Sequence, residues 1–138
     1  MGGERLARRS LPAGAPDSAV TLVKRLAAIG KNALPHPDLD GMVDLAYNFD
    51  LDPDDYLEEQ GWNVERIAQG AMKAMDLALQ KDGTIDFDDM IFVPIRNGWV
   101  RAKYSMVVID ECQDMNASQL ILAMKVCKPG GRVVVVGD

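Results

Sequence analysis

Met106-Val107-Val108-Ile109-Asp110-Glu111-Cys112-Gln113-Asp114-Met115-Asn116 is the stretch at which the chain changes character. Its four apolar residues in an unbroken run suit a strand buried on both faces of a parallel sheet. Two acids close the run. Asn116 is a good helix N-cap, and Leu120, Ile121, Met124 and Val126 populate a helix of about residues 117–127, which Lys128-Pro129-Gly130-Gly131 ends. Residues 133–136 then read as a second buried strand, closed by Gly137-Asp138. Strand, helix and strand in so few residues make a βαβ unit, right-handed by rule. Ligands in open α/β sheets bind beyond the carboxyl ends of the strands. Asp110, Glu111 and Asp138 therefore point at the expected site.

Upstream, to about residue 80, the pattern is helical. Val20, Val23, Leu26 and Ala27 recur at helical spacing after Asp17 and Ser18, and Gly30 is a plausible stop. Pro35-His36-Pro37 marks a loop. Leu39, Met42, Val43, Ala46 and Tyr47 share one face of a second helix. Asp52-Pro53 reads as an N-cap with a proline in the first turn, starting a short helix that ends before Gly61. A longer helix of about residues 63–80 carries the stripe Val64, Ile67, Ala68, Ala71, Met72, Met75 and Leu79, and such a stripe is ordinarily adaptable core. Lys81-Asp82-Gly83 is a turn signal. Residues 85–91 read as a capped helix start followed by apolar residues, interrupted at Pro94, with a turn at Asn97-Gly98. Of the aromatics Tyr47, Tyr56 and Trp62, any could stack on bases, but at least two are expected in the core. Trp99 and Tyr104 are expected to pack as well.

Composition bounds the answer. The 138 residues suit one domain, or one compact half with an appendage, and 48% hydrophobic with 26% charged residues argues against disorder. No apolar run approaches a membrane span, and residues 1–10 carry arginines without the apolar core of a secretory signal, so a cytoplasmic protein is expected. Two cysteines, Cys112 and Cys127, and one histidine, His36, leave little from which to build a zinc site. A net charge of −6 argues against a simple nucleic-acid-coating protein. Arg5, Arg8, Arg9, Lys24, Arg25 and Lys31 crowd the first part; they could touch a phosphate backbone, though a solvated helix face or an interface is the plainer expectation.

The chemistry lies in the paired acids. An apolar strand followed by Asp-Glu is the Walker B pattern. A buried strand holds its last residues rigidly, so the first carboxylate can hold a hydrated magnesium ion. The second can orient or deprotonate the water that attacks a γ-phosphate. Many strands end in Asp-Glu as a cap or solvated turn, so the pair alone does not decide.

The residues around the pair do. Asp110-Glu111-Cys112-Gln113-Asp114-Met115-Asn116, followed by Gln119, resembles the second motif of UvrD/Rep-like superfamily-one helicases: an apolar strand, Asp-Glu, any residue, Gln-Asp, a small polar residue and Asn. Met115 stands where threonine is commonest. Asp86-Phe87-Asp88-Asp89-Met90 matches an upstream Asp-Phe-Asp-Asp-Leu stretch of that family, with Met for Leu. Residues 133–138 match the apolar strand and Gly-Asp that open its third motif. The resemblance is sharp over residues 85–138 and diffuse over residues 1–81.

The resemblance implies roles. Asp110 would hold magnesium with ATP, and Glu111 would be general base or water-positioner. Gln113 and Asp114 would link the nucleotide site to neighbouring motifs and the DNA-facing side, and Gly137 and Asp138 would begin the motif that senses the γ-phosphate. Asp86 is read as a cap and Phe87 as core, with Asp88 and Asp89 open between architecture and function. The implied fold is α/β: residues 1–84 a helical insertion-type subdomain, residues 85–138 an incomplete parallel P-loop NTPase (RecA-like) sheet. The implied protein is an ATP-dependent DNA helicase that steps along single-stranded DNA and separates a duplex, with ATP and magnesium as cofactors.

Departures from the family are equally legible. No G-x-x-x-x-G-K-[ST] phosphate loop occurs in the chain. Gly30-Lys31-Asn32 is the nearest string; it lacks the earlier glycine and the hydroxyl residue, and it ends a helix instead of opening one. The completing arginines and a second motor domain are also absent, and the sequence stops one residue past a strand and glycine. We therefore expect a truncated motor, inactive alone, whose partner is the rest of the helicase. Two alternatives stand beside it: a non-catalytic DNA- or protein-interaction module with a vestigial Walker B, and a P-loop ATPase that is not a helicase.

Overall fold

A computed structural model describes residues 2–80 and 85–138. The turn expected at Lys81-Asp82-Gly83 lies outside the described residues. The order of elements is α1 (Gly2–Ser10), α2 (Asp17–Ala33), α3 (Leu39–Asn48), α4 (Asp55–Glu59), α5 (Val64–Ala78), α6 (Asp89–Arg96), β1 (Tyr104–Ile109), α7 (Ala117–Lys125) and β2 (Cys127–Val135). Helices and a small parallel sheet make the chain α/β in class. No helix among the described residues is long and apolar enough to cross a membrane.

The core sits in the helical body. Amphipathic spacing brings Val23, Leu26, Met42, Ile67 and Met75 inward from α2, α3 and α5, all fully buried. The short α1, which sequence periodicity did not announce, adds Leu6 and Ala7 to the same core. Phe92 of α6 joins it, so this helix, which continues through Pro94, is anchored to the body. Side-chain oxygens of Asp38, Asp54 and Asn63 each accept an N–H of the first turn of α3, α4 and α5.

Several expectations are corrected here. Helix α2 does not stop at Gly30 but runs to Ala33. At Gly30 a Cβ would lie 2.9 Å from Met75 Sδ and 3.0 Å from Met42 Cε, so this glycine admits neighbouring helices and is no terminator. The cap of α4 is Asp54, not Asp52. Only Trp62 of the three upstream aromatics is buried; Tyr47 and Tyr56 are exposed, as are Trp99 and Tyr104. Trp62 lies under the Arg66 guanidinium, 3.9 Å from its ring centre.

Strands β1 and β2 pair in parallel, with Met106, Val107, Val108 and Ile109 opposite Arg132, Val133, Val134 and Val135. Tyr104 pairs with Cys127, so a two-residue step on β1 faces a five-residue step on β2. That irregularity absorbs Lys128-Pro129-Gly130-Gly131, which the sequence placed between helix and strand. The strands are not buried on both faces as expected. Only Ile109 of β1 is buried, and β2 is open to solvent from Lys128 onward. A two-stranded sheet has too few neighbours to cover itself, and α7 is the only α-helix between its strands among the described elements.

Candidate functional site

The site grows from the carboxyl end of β1. Beyond Ile109 the exposed Asp110 uses Oδ1 to accept the Glu111 N–H at 2.9 Å. Glu111 has φ 54° and ψ 43°, a left-handed conformation that costs a non-glycine residue energy. That exposed residue ends the extended run and leads into a 3-10 turn, Cys112–Asp114. Gln113 Nε2 donates to Glu111 Oε2. Asn116 then caps α7 with a reciprocal box: its Oδ1 accepts the Gln119 N–H at 2.9 Å, and its own N–H donates to Gln119 Oε1 at 3.0 Å.

The end of β2 closes onto this turn. Val136 N–H donates to Ile109 O at 2.8 Å and Cys112 N–H to Val136 O at 3.1 Å. Gly137 follows against the turn itself. A Cβ there would meet Gln113 Oε1, Cys112 Sγ at 2.7 Å and the Cys112 backbone nitrogen at 3.2 Å, so the approach requires glycine. The structure thus brings the two strand ends together, with Asp138 exposed beside them. An open cleft of about 610 Å³ on one side is walled by Asp110, Glu111, Asp114, Met115 and Gln119. Gln113, Gly137 and Asp138 are not among its walls.

Magnesium takes one or two protein carboxylates and completes its shell with phosphate oxygens and water. Two adjacent exposed carboxylates at a strand end, Asp110 and Glu111, fit that need. No group of three or more His, Cys, Asp or Glu side chains that could hold a metal by themselves occurs among the described residues. Cys112 and Cys127 are free thiols.

The structure adds residues that the reading of the sequence did not assign to the site. Lys31, expected on a solvated face, is only 4% exposed, with its Nζ 3.1 Å from Asp86 Oδ2 and 2.7 Å from Asp89 Oδ1. Asn32 Nδ2 donates to Asp88 Oδ1 at 2.8 Å, and Asn116 Nδ2 donates to Asn32 Oδ1 at 3.0 Å. Asp86 does act as a cap, accepting the Asp89 N–H at 2.9 Å. Phe87, expected in the core, is 90% exposed: its acidic neighbours turn toward α2, leaving the ring outside. Burial raises the Asp86 carboxyl, yet the Asp89 N–H and Lys31 outweigh it and hold the group below the usual carboxylate range. Burial wins at Asp89 and keeps its carboxyl above that range despite Lys31. Helical spacing held one signal: Lys31 follows Ala27 by four residues and so falls on the buried stripe.

The chain belongs to the UvrD/REP helicase N-terminal domain family, whose profile matches residues 16–138. Among curated proteins it is similar to the ATP-dependent DNA helicase Rep of Buchnera aphidicola subsp. Schizaphis graminum (strain Sg), with 32% identity over 85 residues, 55% of this chain. The match covers 13% of that relative's length. No solved structure matches the chain.

Proposed function

We propose that this chain is part of the first motor domain of an ATP-dependent DNA helicase that couples ATP hydrolysis to stepping along single-stranded DNA and to duplex unwinding. The observation that carries the reading is the Asp110–Asn116 motif, held where a parallel strand ends and closed by Gly137 just past the neighbouring strand. Residues 1–84 act as the helical insertion-type subdomain and residues 85–138 as part of a RecA-like P-loop core.

Asp110 would hold a magnesium ion, which would neutralise charge on the phosphates. Glu111, held in a left-handed backbone, takes a proton from the attacking water at its carboxylate, and Gln113 orients that carboxylate. Asp114 lines the same cleft, while Gly137 and Asp138 begin the motif that senses the γ-phosphate. DNA is bound by the whole helicase, in the cytoplasm, with this chain one part of the surface.

The chain alone does not hydrolyse ATP, because the glycine loop and lysine that cradle the phosphates do not occur in it. That same absence is the observation favouring the second reading, a non-catalytic DNA- or protein-interaction module with a vestigial Walker B. The two separate in a Rep-type helicase whose matching segment is replaced by residues 16–138 of this chain. DNA-stimulated turnover that falls at least about 100-fold in Glu111→Gln supports the motor reading. Turnover indifferent to that change supports the module.

A further inference from the structure

We propose that Asn32 is a positioning residue: from the last turn of α2 it holds, through Asn116, the loop that carries Asp110 and Glu111. What that loop does rests on the helicase reading; the linkage itself does not.

The two asparagines are 84 residues apart in sequence and 3.0 Å apart at their amides. Every polar atom of both carboxamides has a partner. Asn32 offers Oδ1 to Asn116 Nδ2, and its own Nδ2 to Asp88 Oδ1 at 2.8 Å and to Ala28 O at 3.2 Å. Asn116 uses Oδ1 to cap α7 through the Gln119 N–H. One amide therefore starts the helix after the site and fastens that start to α2. Next to it, Ser118 Oγ, 1% exposed, donates at 2.6 Å to Lys31 O. That carbonyl lies in the last turn of α2, where the helix itself supplies no partner.

The same turn holds the upstream acids. Lys31 pairs with Asp86 and Asp89 while Asn32 takes Asp88. All three carboxylates of residues 86–89 thus meet two consecutive residues of α2. Four residues separate Glu111 from Asn116. Three of them form the 3-10 turn and Met115 is extended, with φ −87° and ψ 137°. So short a connection leaves little slack between the cap of α7 and the left-handed Glu111, a conformation that persists only where its surroundings enforce it. Helix α2 packs along α1, α3 and α5. A displacement of that helical body therefore reaches the paired carboxylates through Asn32.

Amide hydrogen exchange on the full 138-residue chain reads the linkage without turnover. Asn32→Ala removes it from α2. Asn116→Ser removes it from α7 while keeping an oxygen that caps, and decides alone should Asn32→Ala fail to fold. The expected result in either variant is roughly tenfold faster exchange at Cys112, Asp114, Met115 and Gln119, with Leu51 and Ile67 unchanged. Unaltered exchange at the site, or equal acceleration everywhere, would overturn the proposal.

Turnover in the host helicase then reads positioning. Asn32→Ala is expected to lower kcat about tenfold and leave the KM for ATP within about twofold. If Glu111→Gln leaves turnover intact, the helicase reading fails and the exchange result stands. If Glu111→Gln abolishes turnover and Asn32→Ala leaves kcat unchanged, the positioning role fails.

Discussion

Glu111 occupies a left-handed backbone that glycine would adopt without strain. Glu111→Gly should therefore retain about 0.5–1 kcal/mol more stability than Glu111→Ala, measured by urea unfolding, although both remove the proposed base. Equal stabilities would mean that the turn is relaxed. Lys31 is the opposite case, a buried cation held by two acids. Lys31→Met leaves Asp89, 2% exposed, without its counter-charge. The expected loss is about 3–5 kcal/mol, part of which Asp89→Asn should recover in the double variant.

The two acids also set opposite pH responses. The folded Asp86 carboxyl lies below its ordinary 3.8. Its contribution is complete above that value and is lost as pH falls through the folded value. The folded Asp89 carboxyl lies above 3.8, so the native state takes up that proton first, and stability from this group rises as pH falls toward 3.8. Asp86→Asn should thus flatten the acid limb below 3.8, and Asp89→Asn should remove the small gain above it. Urea unfolding across about pH 3 to 6 checks both signs.

At the scale of elements, α2 and α5 approach closely at two glycines, and the neighbours decide what a methyl would do. A Cβ at Gly30 meets the flexible ends of Met75 and Met42, whereas one at Gly70 lies 2.9 Å from Leu11 Cδ2 and 3.0 Å from the stiff, branched Val23. Gly70→Ala should lose about 1–3 kcal/mol. Gly30→Ala should lose less, because methionine yields and alanine gains up to about 1 kcal/mol of helix propensity. Thermal unfolding of the two variants gives the order.

The elements legible in the sequence were those whose signals are local. The stripe of α5, the Asn116 cap and the apolar run ending at Asp110 needed only near neighbours to read. The Asp110–Gln113 turn was legible as a motif, but its closure by Gly137 was not, because that contact joins residues across the sheet. Lys31 and Asn32 were missed for the same reason: their partners lie 55 residues away or more. Phe87 and the exposed strands were misread because hydrophobicity reports a preference for burial, and burial needs neighbours. Phe87 is turned away from the body by the acids beside it, and among the described residues β1 and β2 pack chiefly on each other and on α7.

For the whole molecule, the open sheet is the dominant surface feature. Met106, Val108 and Val135 are more than half exposed along its two strands, and such a face with free strand edges favours association. Self-association that rises with concentration is expected in analytical ultracentrifugation. Val108→Lys, which places a charge on a residue 59% exposed, should weaken it several-fold. Unchanged association would place the contact elsewhere on the molecule.

The paired acids at the end of β1 are proposed to serve ATP hydrolysis in a helicase motor. DNA-stimulated ATP hydrolysis by the Rep-type host carrying residues 16–138, compared with the same protein bearing Glu111→Gln, tests that role most directly. A loss of at least about 100-fold in kcat, with ATP still bound, is expected. Hydrolysis at the same rate in both proteins would contradict it.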